Sequence, residues 1–459
     1  MEPLTSVRKA ALEILRQTDD TDRFVDEILG ERIRGFEPRD RRLLQEIAYG
    51  TLRHRNTLDW ILRSYLRLPV RKQRPLLRWS LRIGTYQVTY LTRVPAHAAV
   101  DQTLAALKTF EGISRRDVGF VNAVLHKLVD DIHRKNRELP RERDDPNILP
   151  TRDGYCHFKR PVLPSCRVER LEHLSVKYSH PVWLVDRWLT RYGEEEVRQL
   201  LEANNRTPRV TGRVTLRAPS REAVLESLRA EGIEAEPGGT PESIVLVRGG
   251  DLGSSQPLKD GWFQLQDLTA MEIGNQLQPP TGARVLDLCA APGGKASQLL
   301  EAVGAEGHIV AADRTEDKIA LVDSNLSRLG PQYSLVKLPD APEEIDLGES
   351  FRYVLVDAPC TNTGVLARRP DARWRLKPRS LESLTDLQTG LLEAACRHLA
   401  PGGRLLYSTC SIEPEENEER IARLIEDHPA LTELKVRLFL PHRVEGDGGY
   451  CSLLMKDKG

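Results

Sequence analysis

The chain has 459 residues, more than one hydrophobic core usually organises, so two or three domains are expected. Its 40% hydrophobic and 29% charged residues are typical of a soluble globular protein, and no apolar run reaches the roughly 18 residues that a membrane span needs. The 67 acidic and 67 basic residues cancel, but this balance conceals one strongly basic stretch.

The first predicted unit is helical and covers residues 1–132. Its N-terminus lacks the apolar core of a signal peptide, so a cytoplasmic location is expected. From about residue 6 to residue 131 apolar residues recur at helical spacing, as in Leu58, Ile61 and Leu62, and strand signals are absent. Prolines stand near the expected helix starts: Pro38, Pro69, Pro75 and Pro95.

The basic stretch lies inside this unit. Between residues 51 and 100 ten lysines and arginines face a single acid, Asp59. Arginine suits phosphate contacts because its guanidinium makes paired hydrogen bonds to phosphate oxygens. A solvated helix face is the alternative interpretation. The ten are Arg53, Arg55, Arg63, Arg67, Arg71, Lys72, Arg74, Arg78, Arg82 and Arg93.

Residues 133–167 are polar and proline-rich, which predicts a linker or insertion that buries little apolar surface. The seven cysteines, with no C-x-x-C pair, argue against a disulfide framework. Cys156, His157, Cys166 and His173 come nearest to a metal site, but their spacing fits no zinc pattern and we expect no metal.

Residues 168–258 alternate helical and strand-like segments. Helices are expected at about 194–203 and 221–231, and strands at about 213–217 and 243–247. This pattern predicts a small α+β subdomain.

Residues 259–459 repeat the alternation on a larger scale. Strands are predicted at 284–289, 308–313, 353–360 and 405–410, separated by helical segments. Such alternation predicts a mostly parallel, doubly wound, Rossmann-like α/β sheet.

A small-residue loop joins the first of these strands to its helix. It reads Cys-Ala-Ala-Pro-Gly-Gly-Lys at residues 289–295, and Asp313 closes the next strand, where it could accept hydrogen bonds from ribose hydroxyls. Both nicotinamide dinucleotides and S-adenosylmethionine use this layout. The missing G-x-G-x-x-G fingerprint favours S-adenosylmethionine, and a structural turn without ligand is the third interpretation.

Two further strands end near cysteines. The run at 353–360 ends on Cys360, after Asp357 and Pro359, and the run at 405–410 ends on Cys410, among Ser408, Thr409 and Ser411. A cysteine after an apolar strand is most often a small buried hydrophobe. Two of them at the ligand edge of one sheet, beside an aspartate, favour a catalytic role, with Cys410 as nucleophile.

These motifs resemble those of a known family. Leu-Asp-Leu-Cys-Ala-Ala-Pro-Gly-Gly-Lys at 286–295, Asp-Ala-Pro-Cys at 357–360 and Ser-Thr-Cys-Ser at 408–411, followed by Pro-Glu-Glu-Asn at 414–417, resemble the RNA cytosine-5-methyltransferases. Within residues 1–132, segments 40–53, 94–101 and 119–125 resemble the NusB-like RNA-binding domain.

The resemblance implies an S-adenosylmethionine-dependent enzyme that methylates carbon 5 of a cytosine in small-subunit (16S) ribosomal RNA. It implies that Cys410 is the nucleophile, that Cys360 assists product release and that Asp357 bonds to the base. The implied cofactor contacts are Cys289, Ala290, Ala291, Pro292, Gly293, Gly294, Lys295, Asp313, Asp340 and Asp357. The RNA-contact candidates are Lys295, Arg368, Arg369 and Trp374, and residues 168–258 are expected to help bind RNA.

Some positions depart from the family pattern, which often has serine at Thr361 and a Gly-Asp-Gly segment around Asp340. Two other functions stay open: the same chemistry on transfer RNA, and a non-enzymatic RNA-binding assembly or antitermination factor. We expect a monomer whose partner is ribosomal RNA, with no membrane association.

Overall fold

The computed structural model describes residues 6–250 and 252–458. The chain forms two compact units. The first contains the described residues up to Arg206 and the later segment Leu366–Arg375, and the second contains Thr207–Val365 and Leu376–Gly459. The break at Arg206 differs from the boundary we predicted after residue 167. Across the described ranges, no helix is long and apolar enough to cross a membrane.

The first unit opens with seven helices, as predicted for residues 6–131. They are α1 (Val7–Asp20), α2 (Val25–Arg32), α3 (Pro38–Arg53), α4 (Arg55–Arg63), α5 (Pro75–Tyr90), α6 (Ala96–Leu107) and α7 (Arg115–Asp131), with 3-10 turns at Ile33–Gly35 and Val70–Lys72. Local chemistry sets their starts: the Ser6 hydroxyl accepts from the backbone of α1, and Ser114 forms a capping box with Asp117. Pro38 and Pro75 occupy first-turn positions, where a missing N–H costs nothing.

Residues 133–167, for which composition predicts a linker or insertion that buries little apolar surface, are ordered and contribute buried side chains. The chain there forms a three-stranded antiparallel sheet of order β1-β3-β2, made of β1 (Ile132–Asn136), β2 (Ile148–Thr151) and β3 (Gly154–Phe158). Leu149, Cys156 and Phe158 are buried and join the core of the helical part. The composition is polar because the other strand positions are half-buried or exposed, while these three, together with Val162 and Leu163 after β3, supply the apolar contacts with the core.

Three more helices complete the first unit before Arg206. They are α8 (Arg170–Lys177), α9 (Val182–Tyr192) and α10 (Glu194–Ala203). Two side chains of α4 form hydrogen bonds with the end of α8. The Asn56 amide donates to the Ser175 carbonyl, and the Thr57 hydroxyl donates to the Val176 carbonyl. These contacts place α8 with the helical part of the chain.

The second unit begins with a four-stranded antiparallel sheet of order β5-β6-β4-β7. Its elements are β4 (Val210–Val214), α11 (Arg221–Ala230), β5 (Ile233–Pro237), β6 (Ser243–Gly249), α12 (Gln256–Lys259) and β7 (Phe263–Leu265), with a 3-10 turn at Leu252–Ser254. The predicted α+β character of this region is confirmed, although β5 and β7 were not anticipated. Both are short strands without a strong alternating pattern.

The rest of the second unit is the predicted α/β domain, with a seven-stranded sheet of order β10-β9-β8-β11-β12-β14-β13. The first five of these strands run parallel, while β14 is antiparallel to both β12 and β13. The strands are β8 (Arg284–Asp287), β9 (His308–Asp313), β10 (Tyr333–Lys337), β11 (Phe351–Asp357), β12 (Leu399–Thr409), β13 (Leu431–Phe439) and β14 (Gly449–Lys456). The helices are α13 (Leu268–Gly274), α14 (Gly294–Val303), α15 (Glu316–Leu326), α16 (Ala372–Arg375), α17 (Pro378–His398) and α18 (Glu418–Asp427), with 3-10 turns at Pro342–Glu344 and Pro414–Glu416; α16 itself lies in the first unit.

Both faces of this sheet are covered, as expected for a doubly wound fold. Neighbouring residues of β8 point into different cores: Leu286 packs with α17, and Val285 packs with α14. The chain order of the strands reverses between β8 and β11, and in such sheets ligands bind at the carboxyl ends of the strands flanking that reversal. The fold therefore places the loops after β8 and β11 at the expected ligand crevice.

Candidate active site

The predicted cofactor loop connects β8 to α14 and turns sharply at Gly293, whose φ of 105° is left-handed. A side chain at Gly293 would also crowd the Asn325 Cβ at 3.3 Å. The Asn325 amide holds the loop by donating to the Pro292 carbonyl at 2.7 Å. Glycine is required here because both the backbone angle and the space exclude larger residues.

Asp313 ends β9 beside this loop. One carboxylate oxygen accepts from the Ala291 backbone N–H at 3.1 Å, and the other accepts from Lys318 Nζ at 3.0 Å. Asp340 follows β10, whose last residue Lys337 lies in register with Asp313, and its side chain is exposed. The two predicted cofactor acids therefore lie beyond the carboxyl ends of neighbouring strands.

A chain of polar contacts links the cofactor loop to β11 and β12. Lys295 Nζ donates to Asp357 Oδ2 at 2.7 Å, and the Ser408 hydroxyl donates to Asp357 Oδ1 at 2.7 Å. Burial opposes the charge on Lys295, but the Asp357 carboxylate with its hydrogen bond and the nearby Cys410 and Asp287 together raise the Lys295 pKa. Lys295 is therefore a fixed cation beside Cys410.

The two cysteines meet, as their strand-end positions suggested. The sulfur atoms of Cys360 and Cys410 lie 3.0 Å apart, within hydrogen-bonding distance. The hydrogen bond to Cys410, and then burial, raise the pKa of the Cys360 thiol well above its ordinary value. Cys360 is consequently held as a thiol, able to donate a hydrogen bond to its neighbour.

Sequence reasoning missed a buried network behind these cysteines. Glu416 Oε1 accepts from the Thr361 backbone N–H at 2.8 Å, and its Oε2 accepts from the Thr361 hydroxyl at 2.5 Å. That hydroxyl is also 3.0 Å from the Ser411 hydroxyl. The Gln388 amide donates both to Glu416 Oε1 and to the Pro359 carbonyl. The network joins the loop after Cys360 to the loop after Cys410.

Composition hid this role because Glu416 stands in an acidic segment that looks like solvated surface. The side chain is fully buried, and burial raises its pKa. The Pro-Glu-Glu-Asn motif at residues 414–417 was the signal that could have identified it. Its last residue contributes as well, since Thr409 donates to Asn417 Oδ1 at 2.6 Å.

The acids around the loop fit a cationic cofactor. Asp287 is 1% exposed, and burial followed by the charge of Asp357 raises its pKa to about 8. Asp313, Asp340 and Asp357 stand beyond the next strands, so carboxyl groups outnumber the nearby lysines. S-adenosylmethionine carries a sulfonium and an ammonium group, and such an excess of acids suits both charges.

Three RNA-contact candidates lie in the first unit, within the segment Leu366–Arg375. Trp374 donates its indole N–H to the Leu52 carbonyl at 2.7 Å, and Arg369 pairs with Asp26 at 3.3 Å. Arg368 is half-buried. Arg373, in the same segment, is fully buried, and its hydrogen bonds all go to carbonyl oxygens. The sequence pattern did not indicate that this arginine is buried.

The basic stretch between residues 51 and 100 is divided by the fold. Arg53 and Arg82 are buried, and Arg82 pairs with Asp59 at 2.7 Å. Arg55, Arg74 and Arg78 also make internal contacts, with Trp374, Asp117 and Asp19. The side chains of Arg63, Arg67, Arg71, Lys72 and Arg93 remain exposed.

A separate cluster in the first unit has donor atoms typical of metal ligands. Atoms of Asp144, Cys166 and His173 lie within 4.8 Å of one another. Asp144, however, already pairs with Lys177 at 2.7 Å and with Arg198 at 2.9 Å. Two adjacent cations oppose the binding of a third.

Comparison with known proteins decides the family. Residues 275–454 match the family described as 16S rRNA methyltransferase RsmB/F, residues 5–130 match the NusB family, and residues 180–252 match the RsmF/B-like ferredoxin-like domain. Ribosomal RNA small subunit methyltransferase B of Yersinia pestis bv. Antiqua (strain Angola) is 31% identical over 466 residues, which cover 99% of this chain and all of that protein. This chain belongs to the RsmB/F family of rRNA methyltransferases.

Solved structures agree with the RsmB/F assignment. The structure titled "Crystal Structure of PH0851" aligns over 99% of both chains with a TM-score of 0.79 at 25% identity. A methyltransferase homologue from Pyrococcus horikoshii covers 62% of this chain and 99% of its own, with a TM-score of 0.55 at 26% identity. The predicted cofactor, S-adenosylmethionine, is that of this methyltransferase family.

Proposed function

We propose that this enzyme methylates carbon 5 of a cytosine in 16S ribosomal RNA through a covalent bond between Cys410 and carbon 6 of the base. The observation that carries the proposal is the pair of thiols 3.0 Å apart, beside the Lys295–Asp357 ion pair. Methylation of a base oxygen or exocyclic nitrogen needs no sulfur nucleophile. Carbon 5 of cytosine does, because it is too weakly nucleophilic to react unaided.

In the first step the Cys410 sulfur, as thiolate, forms a bond to carbon 6. The electron pair of the 5,6 double bond then makes carbon 5 nucleophilic. Asp357, which pairs with Lys295, would hydrogen-bond to the base near nitrogen 3 and so, with Lys295, offset the charge that develops there. S-adenosylmethionine, when bound, would supply the methyl group from its sulfonium to carbon 5 and would leave as a neutral thioether.

The second half of the reaction releases the product. Carbon 5 loses its proton to water, the electron pair of that C–H bond restores the 5,6 double bond, and the bond between carbon 6 and the Cys410 sulfur breaks with its pair on sulfur. Cys360 keeps its proton because of its raised pKa, and its sulfur is 3.0 Å from the Cys410 sulfur, so it would assist release. The cytosine must leave its stack to reach a crevice of this kind.

The loop after β8 would hold the cofactor through residues 289–295, with Asp313 at its ribose and Asp340 as a further contact. Lys295 would serve both cofactor loop and RNA, and we propose RNA contact for Arg368, Arg369 and Trp374 and for the α+β region. We also propose that the enzyme is a monomer. It would act in the cytoplasm, where ribosomal RNA is assembled into ribosomal subunits.

The decisive test compares Cys410→Ala with Cys360→Ala. Cys410→Ala should lower methyl transfer from labelled cofactor to 16S RNA by more than about a thousandfold, since it removes the sulfur proposed to bond to carbon 6. Cys360→Ala should still attach to RNA but release it slowly, giving a protein–RNA band that survives denaturing electrophoresis. Cys166→Ala is the matched control, because Cys166 lies in the first unit and is not part of the candidate active site.

Full turnover by Cys410→Ala would refute the covalent mechanism. Bisulfite sequencing of ribosomal and transfer RNA from cells with and without the gene tests the substrate. A modified cytosine that disappears from transfer RNA alone would refute the 16S assignment.

A further inference from the structure

Asn362 lies in the loop after β11, two residues beyond Cys360, with a left-handed φ of 62°. Asparagine is one of the few residues other than glycine that accept this conformation, since its short side chain can bond to nearby backbone. Its side chain is half-buried and directed at both cysteines. The proposed function gives it no role.

The direction of the Asn362 amide is set by a backbone group. Nδ2 donates to the Cys360 carbonyl oxygen at 2.9 Å, and a carbonyl can only accept. Oδ1 is therefore the atom that faces Cys410, whose sulfur lies 3.3 Å away. Because this oxygen also only accepts, the proton of the contact belongs to the Cys410 thiol.

This assignment also decides which cysteine is the donor in the contact between the two sulfurs. The Cys410 proton points to Asn362, so the 3.0 Å contact between the sulfurs requires Cys360 to donate. The three residues then form one directed series, from the Cys360 thiol to the Cys410 thiol to the Asn362 amide oxygen. A donor to Cys410 favours its thiolate, whereas an acceptor favours its thiol.

We propose that Asn362 is a positioning residue that holds the Cys410 thiol in its protonated form and fixes its direction until substrate binds. The proposal rests on the proposed function only in taking Cys410 as the nucleophile. Substrate binding would then have to break the contact between Asn362 and the sulfur before the thiolate forms. In the free enzyme the contact protects the sulfur from premature reaction with other electrophiles.

Four other titratable groups lie in this part of the crevice. Lys295 on α14 and the Cys360 thiol interact with Cys410 directly. Asp357 at the end of β11 and Asp287 at the end of β8 interact with Lys295. A substitution at Asn362 leaves all four in place. The difference in Cys410 reactivity between variant and parent therefore measures the effect of the Asn362 amide.

The test measures alkylation of Cys410 by iodoacetamide as a function of pH in the full-length protein, with each cysteine followed by peptide mass spectrometry. Asn362→Gly accepts the left-handed backbone and removes the amide, so the pH midpoint of Cys410 alkylation should fall by about half a unit, about a threefold gain in thiolate below the midpoint. Asn362→Asp keeps an acceptor and adds negative charge, so its midpoint should rise. Cys166 in the same samples is the internal reference.

Opposite shifts in the two variants support the proposal, because a loop disturbance alone would move both in one direction. An unchanged or raised midpoint in Asn362→Gly, or a lowered one in Asn362→Asp, would overturn it. The readout needs no methyl transfer, so it is separable from the proposed function. Turnover by Cys410→Ala would refute the mechanism, whereas an unshifted midpoint beside an inactive Cys410→Ala would refute only the role of Asn362.

Discussion

Among single residues, Asp287 has the most unusual environment in the crevice. Burial is the main cause of its raised pKa of about 8, and the charge of Asp357 adds to it. An exposed aspartate titrates near pH 4, so between about pH 4 and pH 8 the folded chain keeps a proton that the unfolded chain has lost. Stability should therefore fall as pH rises through this window.

Replacing Asp287 by asparagine should remove this loss, because the amide stays neutral at every pH. Going from pH 5 to pH 8, the free energy of unfolding should fall less in Asp287→Asn than in the parent, by on the order of 2 kcal/mol. Urea denaturation at both pH values measures the difference. Asp457→Asn, at an exposed position, is the control, and equal pH dependence in Asp287→Asn and the parent would contradict the burial argument.

At the scale of elements, the important unit is the pair of loops that follow β11 and β12. The strands are in register at Asp357 and Ser408, so the residues beyond them, Cys360 and Cys410, emerge side by side. Backbone bonds continue the pairing, with Gly364 N–H donating to the Cys410 carbonyl at 2.9 Å. Glu416 then fastens the two loops from behind.

Glu416→Ala should destabilise the second unit by about 3 kcal/mol, because it leaves the buried Thr361 donors and the Gln388 amide short of a partner. Methyl transfer should fall as well, since the sulfur atoms lose their fixed separation. Chemical denaturation and a single-turnover assay measure the two effects.

The exposed Glu419 supplies the matched control, and Glu419→Ala should change stability by no more than about 0.5 kcal/mol. If Glu416→Ala and Glu419→Ala were equally stable, the buried network would contribute nothing to the free energy of unfolding.

At the scale of the whole molecule, the distribution of charge differs from what composition implied. Half of the predicted basic stretch is used inside the first unit, where Arg53 and Arg82 are buried. Four of the exposed members are near one another in the sequence, from the end of α4 to the segment before α5: Arg63, Arg67, Arg71 and Lys72. No acid interrupts this set, so it is the part of the stretch that suits an RNA backbone.

Changing Arg67, Arg71 and Lys72 together to glutamine should weaken RNA binding and flatten its dependence on salt. If each contacts one phosphate, the slope of log affinity against log salt should fall by about two to three. Filter binding across salt concentrations measures this slope. The control is the triple change of Arg34, Arg39 and Arg42 to glutamine. These arginines stand in a stretch that also contains Glu37 and Asp40, so the slope should change less. An equal change of slope would contradict a special role for Arg67, Arg71 and Lys72.

The sequence by itself determined most of the architecture and predicted the residues of the candidate site. Helical periodicity and first-turn prolines identified the first seven helices, and apolar runs followed by Gly293, Asp313, Cys360 and Cys410 identified the strands whose ends bear the site. These signals are local: a period of 3.6 residues or a residue at a strand end depends only on near neighbours along the chain.

Only the tertiary structure decided which side chains meet. It ordered residues 133–167 through five buried apolar side chains, brought Leu366–Arg375 into the first unit and buried Glu416. It also set the hydrogen bonds of Asn362 and separated exposed arginines from buried ones. The physical reason is that burial and hydrogen bonding depend on partners up to hundreds of residues away, which no local pattern encodes.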